Sequence, residues 1–234
     1  MTPAFHRVTT FDLKVRPWSW PFAQARRAAI DAHFAAKQDE KPQIWNGRVL
    51  LGREPVFTGN NFSASYFEAD FASFLAWRDW GFADRSVFNG FGMGALCCAD
   101  GAFVLGEMAQ HTSNAGRVYF PSGTPDRNDL RGDRVDIAGS VAREVEEETG
   151  LSPSDYRADP VWDCVVSGPT IAMMRLLHVD CSGESLRERI ESNLARQSQP
   201  EFAAVHLVRK QADLTADMPS FVTAFINMKL AQAS

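Results

Sequence analysis

The sequence predicts an α/β fold in which a mixed sheet packs between helices, and three observations carry that expectation. Strand-like and helix-like segments alternate along the chain, with strands dominating its C-terminal two-thirds. Hydrophobic residues make up 45% of the 234, enough to bury a substantial core. No internal repeat or low-complexity tract interrupts the pattern.

Residues 6–15 read as strand. Pro17 and Pro21 lead into a helix over about Phe22–Lys37. After the polar loop QDEKPQ, IWNGRVLLG (Ile44–Gly52) reads as a strand pair turning at Asn46-Gly47, a dipeptide that suits tight hairpins. NFSASYFEAD continues extended, and FASFLAWRDWGF reads as helix. FNGFGMGALCCADGAFVLGEM holds two strands around the turn Ala99-Asp100-Gly101, and RVYFPSG is a further strand. An acid-rich helix follows, then the strands VWDCVVSG and TIAMMRLLHVDCS. ESLRERIESNLARQ is a helix with Leu186, Ile190 and Leu194 on one face. EFAAVHLVRK returns to strand, and FVTAFINMKLA closes as helix. A division near Ser86–Asn89 separates an N-terminal α/β extension, 1–88, from a C-terminal domain, 89–234.

Charge and residue usage exclude several classes. A net charge of -5 argues against binding nucleic acid broadly through its phosphates. No apolar run reaches membrane-spanning length, and MTPAFHRVTTFDL lacks the apolar core of a signal peptide. Cys97, Cys98, Cys164 and Cys181 form no CxxC pair, and the five histidines show no metal-binding spacing. The expectation is a reduced, cytoplasmic protein, monomeric or homodimeric. In Gly90-Phe91-Gly92-Met93-Gly94 a strand follows the glycines where a phosphate loop opens a helix, so packing explains the run better. Core or subunit packing is likewise a better reading of Trp18, Trp20 and Phe22 than a ligand platform.

REVEEETGL, Arg143–Leu151, carries the chemistry. Four glutamates crowd the C-terminal end of a helix that Gly150 caps, where the backbone field disfavours them. Glu144 and Glu148 are like charges at i,i+4, at a cost of roughly 0.2–0.5 kcal/mol. At about 100° per residue, Glu144, Glu147 and Glu148 project on one face and Glu146 nearly opposite. Ile137, Val141 and Val145 form the apolar arc that must turn to a sheet, and it includes the Glu148 direction. Partly buried carboxylates of this kind call for a cation among them. Oxygen donors suit a hard one, Mg2+, with Mn2+ an alternative.

The segment resembles the second half of the Nudix box, Gly-x5-Glu-x7-Arg-Glu-U-x-Glu-Glu-x-Gly-U with U aliphatic, and matches it at every specified position. The resemblance implies a Nudix-type αβα sandwich, with the N-terminal α/β extension added. It also implies metal-dependent hydrolysis of a diphosphate joining a nucleoside to another moiety, hence a small-molecule nucleotide substrate. By the match, Glu144, Glu147 and Glu148 hold the metal, a backbone carbonyl in the Pro121–Gly123 turn adds a ligand, and Glu147 or Glu148 accepts a proton. Arg143 is the arginine of the box. The first half is irregular. Counting back from Arg143 puts Val135 at the Glu position, whereas counting forward from Gly123 puts Asp129 there with too many residues before Arg143. The loop TPDRNDLRGDRV is lengthened by about six residues. The partner that steadies Arg143 is expected to be Asp136, or next Asp133, and Asp136 equally suits a helix N-cap. Trp45-Asn46-Gly47, the Ala99-Asp100-Gly101 hairpin and Ala115–Gly123 are similar to the Nudix branch that cleaves UDP-glucose, yielding UMP and a sugar 1-phosphate. Arg117, Ser122, Gly123 and Asn46 are the expected substrate-binding residues, although Asn46-Gly47 also reads as a plain hairpin turn. Two rival functions remain: another nucleotide derivative as substrate (a dinucleotide, ADP-ribose or a coenzyme A conjugate), and a Nudix-like module that binds a nucleotide without cleaving it.

Overall fold

The computed structural model describes residues 3–233. The first strand expected is two, β1 (Ala4–Val8) and β2 (Thr10–Val15), which enter different sheets on either side of a bend at Thr9. The first helix is also divided. α1 (Pro21–Ala25) carries proline in its first turn, where no N–H is needed, and α2 (Arg27–Glu40) continues beyond Arg26.

β3 (Arg48–Thr58) and β4 (Asn61–Asp70) pair antiparallel around Gly59, at φ 55°. The hairpin expected at Asn46-Gly47 does not form. Asn46 Oδ1 accepts from Ala72 N at 2.9 Å and Gly47 O from Phe71 N at 2.9 Å, so the segment satisfies the first N–H groups of α3 (Phe71–Asp79). Trp20, Phe34, Phe67 and Trp77 form a separate core between these helices and the β2-β4-β3 sheet.

β5 (Val87–Cys98) turns at Gly101, φ 79°, into β6 (Phe103–Met108). Two short strands follow, β7 (Val118–Tyr119) and β8 (Ser122–Gly123), then a small hairpin, β9 (Leu130–Arg131) and β10 (Arg134–Val135). α4 (Ile137–Thr149) is the acid-rich helix. β11 (Arg157–Ser167), β12 (Thr170–Val179), α5 (Gly183–Leu194), β13 (Phe202–Val208) and α6 (Ser220–Ala233) complete the chain.

β5 organises the sheet. β12 runs parallel to it along one edge, while β3, β8 and β6 pair with successive parts of the other. Its glycines explain how α4 lies so close. A Cβ on Gly92 would sit 2.5 Å from Val141 Cγ2, and one on Gly94 2.5 Å from Val145 Cγ2. The alternate residue Phe91 meets Phe221 of α6 on the opposite face, and Phe225 meets Phe103 and Phe120 there. The layers are thus helix, mixed sheet, helix, an α/β arrangement. β1 is an edge strand of this sheet, paired with β11, and Arg7 and Lys229 both reach the buried Asp163. No described helix is long and apolar enough to cross a membrane.

Candidate active site

α4 carries the site, and its ends are specified locally. Asp136 Oδ1 accepts from Gly139 N at 2.9 Å, and Gly150 takes the left-handed conformation at φ 75° that closes the helix. Ile137, Val141 and Val145 are buried against the sheet, and their arc carries Glu144 and Glu148 inward with them, 9% and 1% exposed. Glu146 is exposed. Glu147 lies at the rim and turns along the helix to Arg143, 3.1 Å away.

Arg143 is held by Asp129. Its Nη2 donates to both carboxylate oxygens at 3.1 and 3.2 Å, while Nη1 lies 2.9 Å from Glu144 Oε1. Asp129 is 3% exposed and also accepts from Asp126 N. This corrects the expectation for the irregular half of the box: neither Asp136 nor Asp133 is the partner of Arg143. Asp136 caps α4 and approaches Arg131 at 3.6 Å, and Asp133 lies in the turn of the β9–β10 hairpin, its carbonyl accepting from Val15 N. The hairpin explains the miscount. The chain leaves at Asp129 and returns at Asp136, whose N–H donates to Asp129 O at 2.7 Å. With Leu130–Val135 set aside, seven residues separate Asp129 from Arg143 and five separate Gly123 from Asp129, the spacing of the box with aspartate for glutamate.

The strand before the hairpin lies against the acids. Ser122 N donates to Glu148 Oε2 at 3.0 Å, and a Cβ on Gly123 would sit 2.2 Å from Glu144 Oε1. Only glycine leaves room for that carboxylate. Burial pushes Glu144 up to about 7, the Glu147 and Glu201 charges adding to the rise and Arg143 opposing it. Burial, then the charges of Glu144 and Glu201, pushes Glu148 well above the usual carboxylate range. Glu201, at the edge of β13, is itself raised by the surrounding walls and by Glu147. It reaches the cluster because its carbonyl accepts from Ala109 N at 2.8 Å, beyond the β6–β13 ladder. That pairing is long-range, and no local pattern in the sequence signals it.

Among the described residues, no three acidic, histidine or cysteine side chains already converge as a metal shell. The donors nevertheless fit a hard cation. Glu148 Oε1 is buried without any hydrogen-bond partner, which is costly unless something positive meets it. Glu144 lines the adjoining cleft, Glu147 sits at the rim on Arg143, and every donor is oxygen.

A cleft of about 1320 Å³ opens from Glu144, Ser122 and Gly123. Arg117, Arg78, Lys41, His111 and Glu201 also line it, and Trp45, Phe71 and Phe74 bring the N-terminal residues into its wall. Of the residues expected to bind substrate, Arg117, Ser122 and Gly123 border the cleft. Asn46 does not, its side chain being engaged on α3.

The sequence matches no family model and no curated protein. Solved structures resemble the fold at low identity. A Nudix hydrolase from M. smegmatis, RenU, is 14% identical over 62% of this chain and 84% of its own, at a TM-score of 0.39. The MutT protein from Methanosarcina mazei Go1 is 17% identical over 63% and 96%, at 0.40. A bifunctional NMN adenylyltransferase/ADP ribose pyrophosphatase from Francisella tularensis is 14% identical over 67% and 44%, at 0.39. Likenesses at such TM-scores transfer nothing to this site, whose chemistry is read from its own residues.

Proposed function

We propose that this chain is a divalent-metal-dependent pyrophosphohydrolase of the Nudix type, which cleaves a nucleoside diphosphate joined to another moiety. UDP-glucose is the substrate to test first. The observation that carries the reading is the pair of buried carboxylates, Glu144 lining a large cleft and Glu148 behind it with Oε1 left unpartnered. A structural role does not require two like charges out of water, whereas a cation does.

In this reading Glu144 and Glu148 hold Mg2+ or Mn2+, with Glu147 joining from the rim. When bound, the ion neutralises the diphosphate and makes a nearby water a stronger nucleophile. Asp129 fixes the Arg143 guanidinium, which keeps Glu144 and Glu147 in register along the helix. Gly123 gives Glu144 its space and Ser122 N orients Glu148. Arg117, Arg78 and Lys41 provide positive charge for phosphate oxygens along the cleft. Residues 1–88, the N-terminal extension, supply the wall opposite 89–234 and so the contacts that distinguish substrates.

The test is turnover of a panel of UDP-glucose, ADP-ribose, a dinucleotide and a coenzyme A ester, with products identified, with and without magnesium. Release of UMP and glucose 1-phosphate supports the full reading. Turnover of another member alone removes the UDP-sugar part and keeps the hydrolase. Nucleotide binding with no turnover in either condition replaces the enzyme with a binding module.

A further inference from the structure

We infer that Trp45 is the stacking platform for the planar base of the bound nucleotide, an inference that rests on reading the cleft as a nucleoside-diphosphate site. Three large apolar side chains are exposed among the described residues, Phe5, Trp45 and Val56, and Trp45 is the most exposed at 79%. Of the three, Trp45 alone lines the cleft that holds Glu144 and Gly123. Trp20 and Trp77 are buried, the Trp20 indole N–H donating to Asp84, and Trp18 is half-buried under Arg53. An indole left in water forgoes the burial that aromatic side chains ordinarily supply.

Its mounting is tied down on both sides. On one side Lys41 Nζ donates to Thr112 O at 2.6 Å and Gln43 Nε2 to His111 O at 3.2 Å. On the other, Asn46 and Gly47 are fixed to the first N–H groups of α3. The indole lies on Gly47, where a Cβ would sit 2.5 Å from Cζ3 of the ring. Backbone therefore supports one side of the ring, and a ligand can cover the rest. A platform held in place before binding loses little freedom when it is used. Stacking on an aromatic tolerates any base, because every base presents a π face. Trp45 thus selects for the presence of a base, and the bordering polar groups must choose which one.

The test is calorimetric binding of UMP, AMP and ribose 5-phosphate, with magnesium present, to the full chain and to its Trp45→Phe and Trp45→Ala variants. The native chain is expected to prefer both nucleotides over ribose 5-phosphate. Trp45→Ala should lose roughly ten- to hundredfold on the nucleotides and nothing on ribose 5-phosphate, while Trp45→Phe keeps most of the affinity. No preference for nucleotides in the native chain, or nucleotide binding unchanged in Trp45→Ala, overturns the inference. The exposed ring makes a folded alanine variant the expectation, and its melting curve checks that. Hydrolysis separates the two readings. Cleavage of a nucleoside diphosphate by Trp45→Ala at unchanged kcat/KM removes the platform and leaves the enzyme. Trp45-dependent nucleotide binding without turnover does the reverse.

Discussion

Glu144→Gln should stabilise the metal-free protein above neutral pH, although it disables the site. Burial moves the Glu144 carboxyl from near 4.5 to about 7. A rise of that size is worth on the order of 3 kcal/mol between its two protonation states. The folded chain holds this proton more tightly than the unfolded chain does. The favourable contribution is therefore fully present below about pH 4.5, and it is lost as the pH climbs through about 7. Glutamine stays neutral throughout. In chelator, the two proteins should melt at similar temperatures near pH 4.5. By about pH 8 the variant should gain up to roughly 3 kcal/mol, or roughly 6–12 °C at this chain length. Glu148 feels the Glu144 charge, so thermal melts read in parallel over pH report Glu144 together with the relief of that neighbour. Excess magnesium should reverse the order, because binding to the native state stabilises only the protein that keeps the ligand. Parallel pH profiles in chelator would show that Glu144 is not a buried, repelled acid, and the electrostatic basis of the site would go with it.

Asp129→Asn should lower kcat/KM at least tenfold while the fold holds, because Arg143 loses its buried counter-charge. Asp136→Ala should cost about 1 kcal/mol of stability as a lost N-cap and leave turnover nearly intact; the opposite ranking in paired kinetics and melts would restore Asp136 to the site. Glu148→Gln should abolish turnover and Glu146→Gln should leave it unchanged, and equal losses in two folded variants would mean the helix phase is wrong. Removing residues 1–43 should collapse stability rather than merely broaden selectivity, since it strips β1 from β11 and β2 from β4. A soluble truncation with a sharp, near-native melt would refute that.

What was legible in the sequence is what is local. α4 could be read from caps, apolar arc and acid placement, because each of these acts within a few residues. The glycines of β5 lie within the strand rather than opening a helix, and Gly92 and Gly94 serve the close packing of α4. Asn46-Gly47 misled because its turn chemistry is equally suited to receiving the N–H groups of a following helix, and only the tertiary placement of α3 decides between the two. Asp129 was visible from Gly123 and invisible from Arg143. A hairpin that returns the chain to its point of departure alters sequence distance without altering spatial distance. Glu201 comes from the far side of the β6–β13 pairing, where no periodicity in the primary sequence points.

The same hairpin shows how the long loop between Gly123 and Arg143 is accommodated. β10 pairs with β2 at Arg134 and Lys14, Val15 N donates to Asp133 O at 2.7 Å, and Arg134 reaches Asp12. The inserted residues are thus an edge of the N-terminal sheet, while their two ends, Asp129 and Asp136, hold Arg143 and cap α4. One end of the insertion serves the acids and the other serves the helix that carries them. A shift of β2 would pass through Asp133 and Arg134 to the base of the hairpin, where Asp129 holds Arg143 beside Glu144 and Glu147. The N-terminal residues therefore border the candidate site twice, at the cleft wall through Trp45 and at the hairpin that ends on Asp129.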